Sequence, residues 1–308
     1  MQQTPQTLTH IKQTLAAYGL RPKHRYGQNF LHDHNHLKAI IKASHIGADD
    51  LVLEIGPGTG TLSQQILEMG AKLLAVEIDQ DLKPVLEAAM SPYAGRARLL
   101  YADVLASKHV IEPRIFSELE DLSGQKSASF KLIANLPYNI ASPLIANLVT
   151  DYIHPVDPSM PRMSTCVVMI QKEVAQRLNA GPGSKIYGPL GIMIQALCDV
   201  RHALTLKPSC FWPAPKVDSA VVVLHAKAVP LTAHPKRLRR LLHVLFSKRR
   251  KQIGSILGRD FPLPDGVGAN SRPEQLSVEQ LIQLAGIYHQ ETQNHPHAPG
   301  AHANDTQK

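Results

Sequence analysis

The feature that most constrains this chain is a regular alternation of short, apolar runs with stretches of helical period. Runs rich in aliphatic and β-branched residues fall at Leu51 to Ile55, Leu73 to Ile78, Ala97 to Ala102, Lys131 to Asn135, Cys166 to Ile170, Arg201 to Leu206 and Ala220 to Leu224. Helical patterns at Leu62 to Met69, Leu82 to Met90, Pro143 to Thr150, Lys172 to Leu178 and Pro189 to Leu197 separate most of them. Strands that are apolar throughout and spaced by helices predict a parallel sheet covered on both faces. Only the Pro-rich loop Pro208 to Lys216 separates the last two runs, which predicts an antiparallel hairpin at one edge. A doubly wound sheet ending this way departs from the usual dinucleotide-binding arrangement.

The flanking segments differ in character. Residues 1–25 are polar with one short helical pattern (Leu8, Ile11, Leu15), read as a mobile arm or a helix packed on the main body. Asp33 is placed to cap a helix carrying Leu37, Ile40 and Ile41. After Leu224, Pro230 and Pro235 mark a linker, and helices are expected from about Lys236 to Leu257 and from Ser277 to Ala285, the second capped by Ser277 and Gln280. The tail from Gln290 is polar and reads as disordered. These boundaries divide the chain into an arm (1–25), a main domain (26–228), a small helical domain (229–289) and a tail (290–308). With 308 residues, 44% of them hydrophobic, the chain can bury one large core and a satellite. No apolar run approaches the roughly 18 residues that span a bilayer, and no signal-like stretch opens the sequence. Three cysteines without a CxxC pair suggest neither a disulfide framework nor a zinc cage, and point to a reducing cytoplasm.

Two constellations sit at the ends of the predicted strands. The first is Glu54-Ile-Gly56-Pro-Gly58-Thr-Gly60, running from strand into helix. Glycines there allow a sharp turn and let a ligand lie against bare main chain. The dinucleotide fingerprint needs its third glycine where Thr61 stands, so the spacing argues against NAD. Glu77 closes the second run, where a carboxylate accepts both ribose hydroxyls, and Asp103 follows the third, placed for an adenine amine. Taken singly these are a tight turn, an exposed acid and a helix cap; taken in register with three strands they describe a nucleoside site. The loop carries no Lys or Arg, which suits a sulfonium cofactor better than a phosphate.

The second constellation is Asn135-Leu136-Pro137-Tyr138 after the fourth run. An exocyclic adenine amine is a poor nucleophile because its lone pair is delocalised into the ring. The Asn135 side-chain oxygen and the Leu136 carbonyl are placed to accept its two N–H bonds and localise that pair, Pro137 stiffens the turn, and Tyr138 offers a stacking face. Phe211, bracketed by prolines before the last strand, is a candidate second wall for an extruded base.

With Gly27-Gln28-Asn29-Phe30-Leu31, Phe211-x-Pro213-x-Pro215-x-Val217-Asp218-Ser219 and Phe246-Ser-Lys-Arg249-Arg250-Lys251 added to these motifs, the chain resembles the ribosomal RNA adenine N6,N6-dimethyltransferase family over roughly residues 20–288, and most of all its bacterial small-subunit members. That resemblance implies a Rossmann-like class I methyltransferase domain with a seven-stranded, mostly parallel sheet and an antiparallel edge strand, plus a small C-terminal helical domain. It implies S-adenosylmethionine as cofactor, with Gln28, Asn29 and Leu31 near its methionine end, Gly56 and Gly58 against its backbone, Glu77 on the ribose, Asp103 on the adenine and Asn135 shared with the target amine. It implies 16S rRNA within the small subunit or its precursor as partner, the target being two adjacent adenosines in a 3′-terminal hairpin loop.

From Lys236 to Arg259 there are nine Lys or Arg and no Asp or Glu, in a chain of net charge +8. Lys248, Arg249, Arg250 and Lys251 are read as RNA backbone contacts. His32-x-His34-x-His36 and His295-x-His297 do not form ligand sets at these spacings, so no metal is expected; a cytoplasmic monomer without membrane association completes the reading. Its rivals are a 23S rRNA adenine methyltransferase of the drug-resistance type, a non-catalytic ribosome assembly factor and, least favoured, a NAD-dependent oxidoreductase. Methyl transfer to each purified subunit, the presence of turnover and binding of a nicotinamide cofactor separate them.

Overall fold

The crossover order of the strands decides where a ligand can sit. In the computed structural model, which describes residues 7–294, the sheet comprises β1 (Leu51–Ile55), β2 (Lys72–Glu77), β3 (Ala97–Tyr101), β4 (Ser129–Asn135), β5 (Arg162–Gln171), β6 (Cys198–Leu206) and β7 (Ser219–Ala226). Their spatial order is β3-β2-β1-β4-β5-β7-β6. The pairs β1–β2, β2–β3, β1–β4 and β4–β5 are parallel, and β7 runs antiparallel to β5. The expected hairpin strands do lie at one edge, but the antiparallel member β7 returns inside β6 and so stands one place in from the rim. The winding reverses between β1 and β4. At such a switch point the two carboxyl ends open a crevice, and both sequence constellations emerge into it.

The helices are α1 (Leu8–Ala17), α2 (His34–Ser44), α3 (Thr61–Glu68), α4 (Lys83–Met90), α5 (Arg114–Ser123), α6 (Tyr138–Leu148), α7 (Lys172–Leu178), α8 (Pro189–Leu197), α9 (Pro235–Ser247), α10 (Ile253–Leu257) and α11 (Val278–Asn294). Asp33 caps α2 as expected, its Oδ1 accepting the His36 N–H at 3.0 Å. Within the described part of the arm, α1 is packed: Ile11 and Leu15 are buried in one cluster with Leu37, Ile40, Leu206 and Phe211. Helix α5 and the small hairpin before it (Leu105–Ser107 with Val110–Ile111) are absent from the sequence reading, although Ile115, Phe116, Leu119 and Leu122 recur at helical spacing and Ile115 and Leu119 are buried. Helix α6 starts at Tyr138, five residues ahead of the expected Pro143; Pro137 ends the extended corner and Pro143 is accommodated inside the helix.

The chain divides into two compact units, one holding residues up to Ala175 with Val200–Ala226, the other Gln176–Asp199 with residues from Lys227 onward. Helix α8, read from sequence as a sheet crossover, groups with the C-terminal helices because it is apolar nearly all round; it packs on α9 and α11. Leu238, Leu241, Leu242 and Leu245 form the buried stripe of α9. The helix expected from Lys236 to Leu257 breaks into α9 and α10 because the Lys248 to Gln252 stretch has no apolar side chain to hold it on the core. Reciprocal bonds between Ser277 and Gln280 cap α11, which runs on to Asn294, past the expected end at Ala285. The rest of the tail, with His295 and His297, lies outside the described residues. Among the described residues no helix is long and apolar enough to cross a membrane.

Because Leu15 is 1% exposed, Leu15→Ala leaves a cavity under α1, and a urea titration is expected to show a loss of about 2–5 kcal/mol.

Candidate functional site

The carboxyl end of β1 turns through Gly56, Gly58 and Gly60 at φ values of +70°, +61° and +81°, a region closed to most side chains. The loop is packed from outside as well. A Cβ on Gly58 would stand 2.9 Å from the Phe30 ring, so the segment carrying Gln28 to Leu31 lies directly on the turn. Pro137, at the end of β4, sits against two glycines: a Cβ on Gly27 or on Gly56 would each come within 3.6 Å of its ring. The Asn135 Nδ2 donates to the Asn29 carbonyl at 3.0 Å, which orients the amide and leaves Oδ1 as its acceptor.

A cavity of about 290 Å³ joins these pieces. Gln28, Asn29, Leu31, Gly56, Gly58, Glu77, Asp103, Asn135, Leu136, Pro137 and Tyr138 all line it. The two constellations, separated in sequence by some 80 residues, therefore face one space. Gln28 holds its loop in place: its Oε1 accepts the Lys23 N–H and its Nε2 donates to Asp79, both at 2.7 Å. Asp103 accepts the Leu105 N–H at 2.9 Å while remaining exposed to the cavity. Tyr138 is half-buried, its hydroxyl 2.6 Å from Ser219 Oγ, which fixes the ring beside the corner.

Two carboxyls in this wall are buried. Glu77 accepts the Gly58 N–H at 3.3 Å and the Asp79 N–H at 2.9 Å. Its burial pushes its pKa above the ordinary glutamate range, and those two N–H groups offset part of the shift. Glu54, 1% exposed, accepts from Ser63 Oγ at 2.5 Å, and burial pushes it up to about 8. Sequence reasoning passed over Glu54 as part of the strand, and missed Lys23, Asp79 and Ser219, whose roles are contacts with distant segments. Ile78, 42% exposed beside Glu77, and Val104 add apolar surface to the cavity wall. Glu77 and Asp103 in the wall and the absence of Lys or Arg from the 56–62 loop, with Arg25 the one Lys or Arg among the described residues that line the cavity, are compatible with a cationic, phosphate-free ligand.

Phe211 is not brought into this wall. It is 3% exposed, pairs with Leu31 in a two-residue strand and packs in the core, as an apolar ring does when core volume is available. Arg249 likewise differs from the expectation of a solvent-facing RNA contact. Its Nε donates to Glu274, its two terminal nitrogens to the carbonyls of Lys185 at 2.8 Å and Ser184 at 3.1 Å. Those bonds hold the turn between α9 and α10, while Lys248, Arg250 and Lys251 are exposed.

A Glu54 carboxyl that binds its proton more tightly when folded favours the native state below pH 4.5 and loses that contribution as pH rises through about 8. Glu54→Gln is therefore expected to flatten the fall in melting temperature between pH 5 and pH 8, measured by scanning calorimetry; an unchanged slope assigns the fall to other groups.

Residues 19–290 match the family model for ribosomal RNA adenine dimethylase. The "Ribosomal RNA small subunit methyltransferase A" of Lactobacillus helveticus is 38% identical over 286 residues, covering 87% of this chain and 92% of that protein. The crystal structure of a dimethyladenosine transferase from Plasmodium falciparum superposes with a TM-score of 0.58 at 29% identity, covering 75% of each chain. The 23S rRNA methyltransferase ErmE, at 23% identity, shares the fold with a TM-score of 0.59, covering 84% of this chain and 99% of its own. A glycine turn and an Asn-Leu-Pro-Tyr corner facing one cavity, under a match across nearly the whole chain, place the protein in the ribosomal RNA adenine dimethylase family.

Proposed function

We propose that this chain transfers methyl groups from S-adenosylmethionine to the N6 amines of two adjacent adenosines in a 3′-terminal hairpin loop of 16S rRNA, giving N6,N6-dimethyladenosine during small-subunit biogenesis. The observation that carries the reading is the single cavity shared by the glycine turn and the Asn135 corner. The small-subunit name of the 38% identical relative supports the choice of rRNA over that of the more distant 23S enzyme.

Glu77 takes the ribose hydroxyls, Asp103 the adenine amine, and Asn29 and Leu31 border the methionine end. Bound there, S-adenosylmethionine supplies an electrophilic methyl group. The chain's own contribution is positioning. Asn135 Oδ1 and the Leu136 carbonyl accept the two N–H bonds of the target amine, drawing its lone pair out of conjugation and aiming it into the cavity. Pro137, wedged between two glycines, keeps both acceptors at a fixed angle. Tyr138, with its hydroxyl tied to Ser219, offers the face on which the extruded base stacks. The exposed Lys248, Arg250 and Lys251 bind the RNA backbone, and the protein acts as a cytoplasmic monomer.

Asn135→Ala is expected to lower methyl transfer to unmethylated small-subunit particles by at least about a hundredfold while leaving RNA affinity unchanged, as read by methyl-labelled cofactor and nucleotide mapping. Full turnover in that variant rejects the positioning role, and absence of turnover in the wild type favours a non-catalytic assembly factor. Reversing Lys248, Arg250 and Lys251 to Glu, with Arg249 kept because it is engaged inside its own unit, is expected to weaken RNA binding at least about tenfold and to make its salt dependence shallower. Cofactor affinity by calorimetry should not move.

A further inference from the structure

We propose that Asp33, His36 and Cys210 form a binding site for a thiophilic divalent transition-metal ion, zinc being the natural fit. The three residues belong to the start of α2 and to the loop before the Phe211–Trp212 strand, and none of them lines the cofactor cavity. One ligand atom from each lies within 4.8 Å of the others. His36 Nδ1 is 2.9 Å from Asp33 Oδ1 and 3.8 Å from Cys210 Sγ. Around a zinc ion with bonds of about 2.0–2.3 Å, tetrahedral neighbours stand about 3.3–3.6 Å apart. The two spacings from His36 bracket that range and the third, between Asp33 and Cys210, is no more than 4.8 Å, so small side-chain shifts close the site.

The contacts also differ from an acid–base relay. A Cys–His–Asp relay uses opposite ring nitrogens, one towards the thiol and one towards the carboxylate. Here thiol and carboxylate converge on the same Nδ1, as ligands do around a common centre. The backbone around them is fixed: the same Asp33 Oδ1 that faces His36 Nδ1 also caps α2, and the Cys210 carbonyl accepts the His32 N–H at 3.1 Å. Cys210 is 7% exposed whereas the Asp33 and His36 side chains are 34% and 30% exposed. One side of the site is therefore open for the ion and for a water as fourth ligand. A thiolate, an imidazole and a carboxylate select zinc-like ions over calcium or magnesium. The bound ion would staple the start of α2 to the 207–212 loop. The His-x-His-x-His run conceals the site in the sequence, because only one of its three histidines takes part and the cysteine lies 174 residues away.

Cobalt(II) titration of the reduced, metal-free full chain tests this. One equivalent of cobalt is expected to produce a thiolate-to-metal charge-transfer band that zinc abolishes. Cys210→Ser and His36→Ala should lose the band, whereas Cys166→Ser and Cys198→Ser keep it. Asp33→Asn retains a helix-capping side chain and should weaken binding at least about tenfold, at the lower end of what loss of a metal-orienting group costs. Circular dichroism checks that each variant is folded; His36→Ala, altering a partly exposed side chain, keeps the test open where Cys210→Ser does not fold. Absence of the band in the wild type, or its persistence in folded Cys210→Ser or His36→Ala, overturns the proposal.

Discussion

Pro137 lodged between Gly27 and Gly56 is the contact on which the rest of the site depends. Both glycines are required by their positive φ, and a Cβ on either would meet the ring at an ordinary contact distance of 3.6 Å, so the proline packs against two separate stretches of chain at once. That approach brings the carboxyl end of β4 against the turn after β1, and the Asn135 bond to Asn29 closes the third side. A reaction limited by the poor nucleophilicity of a delocalised amine gains most from rigid acceptors. Main-chain packing of this kind supplies rigidity without placing a charge near the reacting atoms.

Much of this was legible in the sequence because the signals were local. Seven apolar runs separated by helical patterns specify a doubly wound sheet, and the reversal between β1 and β4 then leaves a single crevice for both constellations. Cap residues acted as their chemistry dictates: Asp33 starts α2, and Ser277 with Gln280 starts α11. Features that depend on long-range packing were hidden. The inward return of β7 and the grouping of α8 with the C-terminal helices both depend on partners distant in the chain; α5 carries a clear local stripe and is the exception.

The side-chain assignments divide along the same line. Residues on the turn and on the corner point into the cavity because the backbone leaves them no alternative. Phe211 and Arg249 belong to loops whose side chains choose between a ligand and the protein's own interior. Phe211 joins the core beside Leu31, and Arg249 satisfies Glu274 and two carbonyls. Composition marked the Lys248 to Lys251 run as uniformly cationic, but a guanidinium with five fixed donors suits an internal clamp better than its lysine neighbours do.

The most direct test of the corner's role is a crystal structure of the protein with an unreactive S-adenosylmethionine analogue and adenosine. The account predicts the adenine amine within hydrogen-bond reach, about 3 Å, of both Asn135 Oδ1 and the Leu136 carbonyl, with the analogue in the cavity beside the glycine turn. An amine bound away from that pair of acceptors, or an analogue seated outside the cavity, contradicts it.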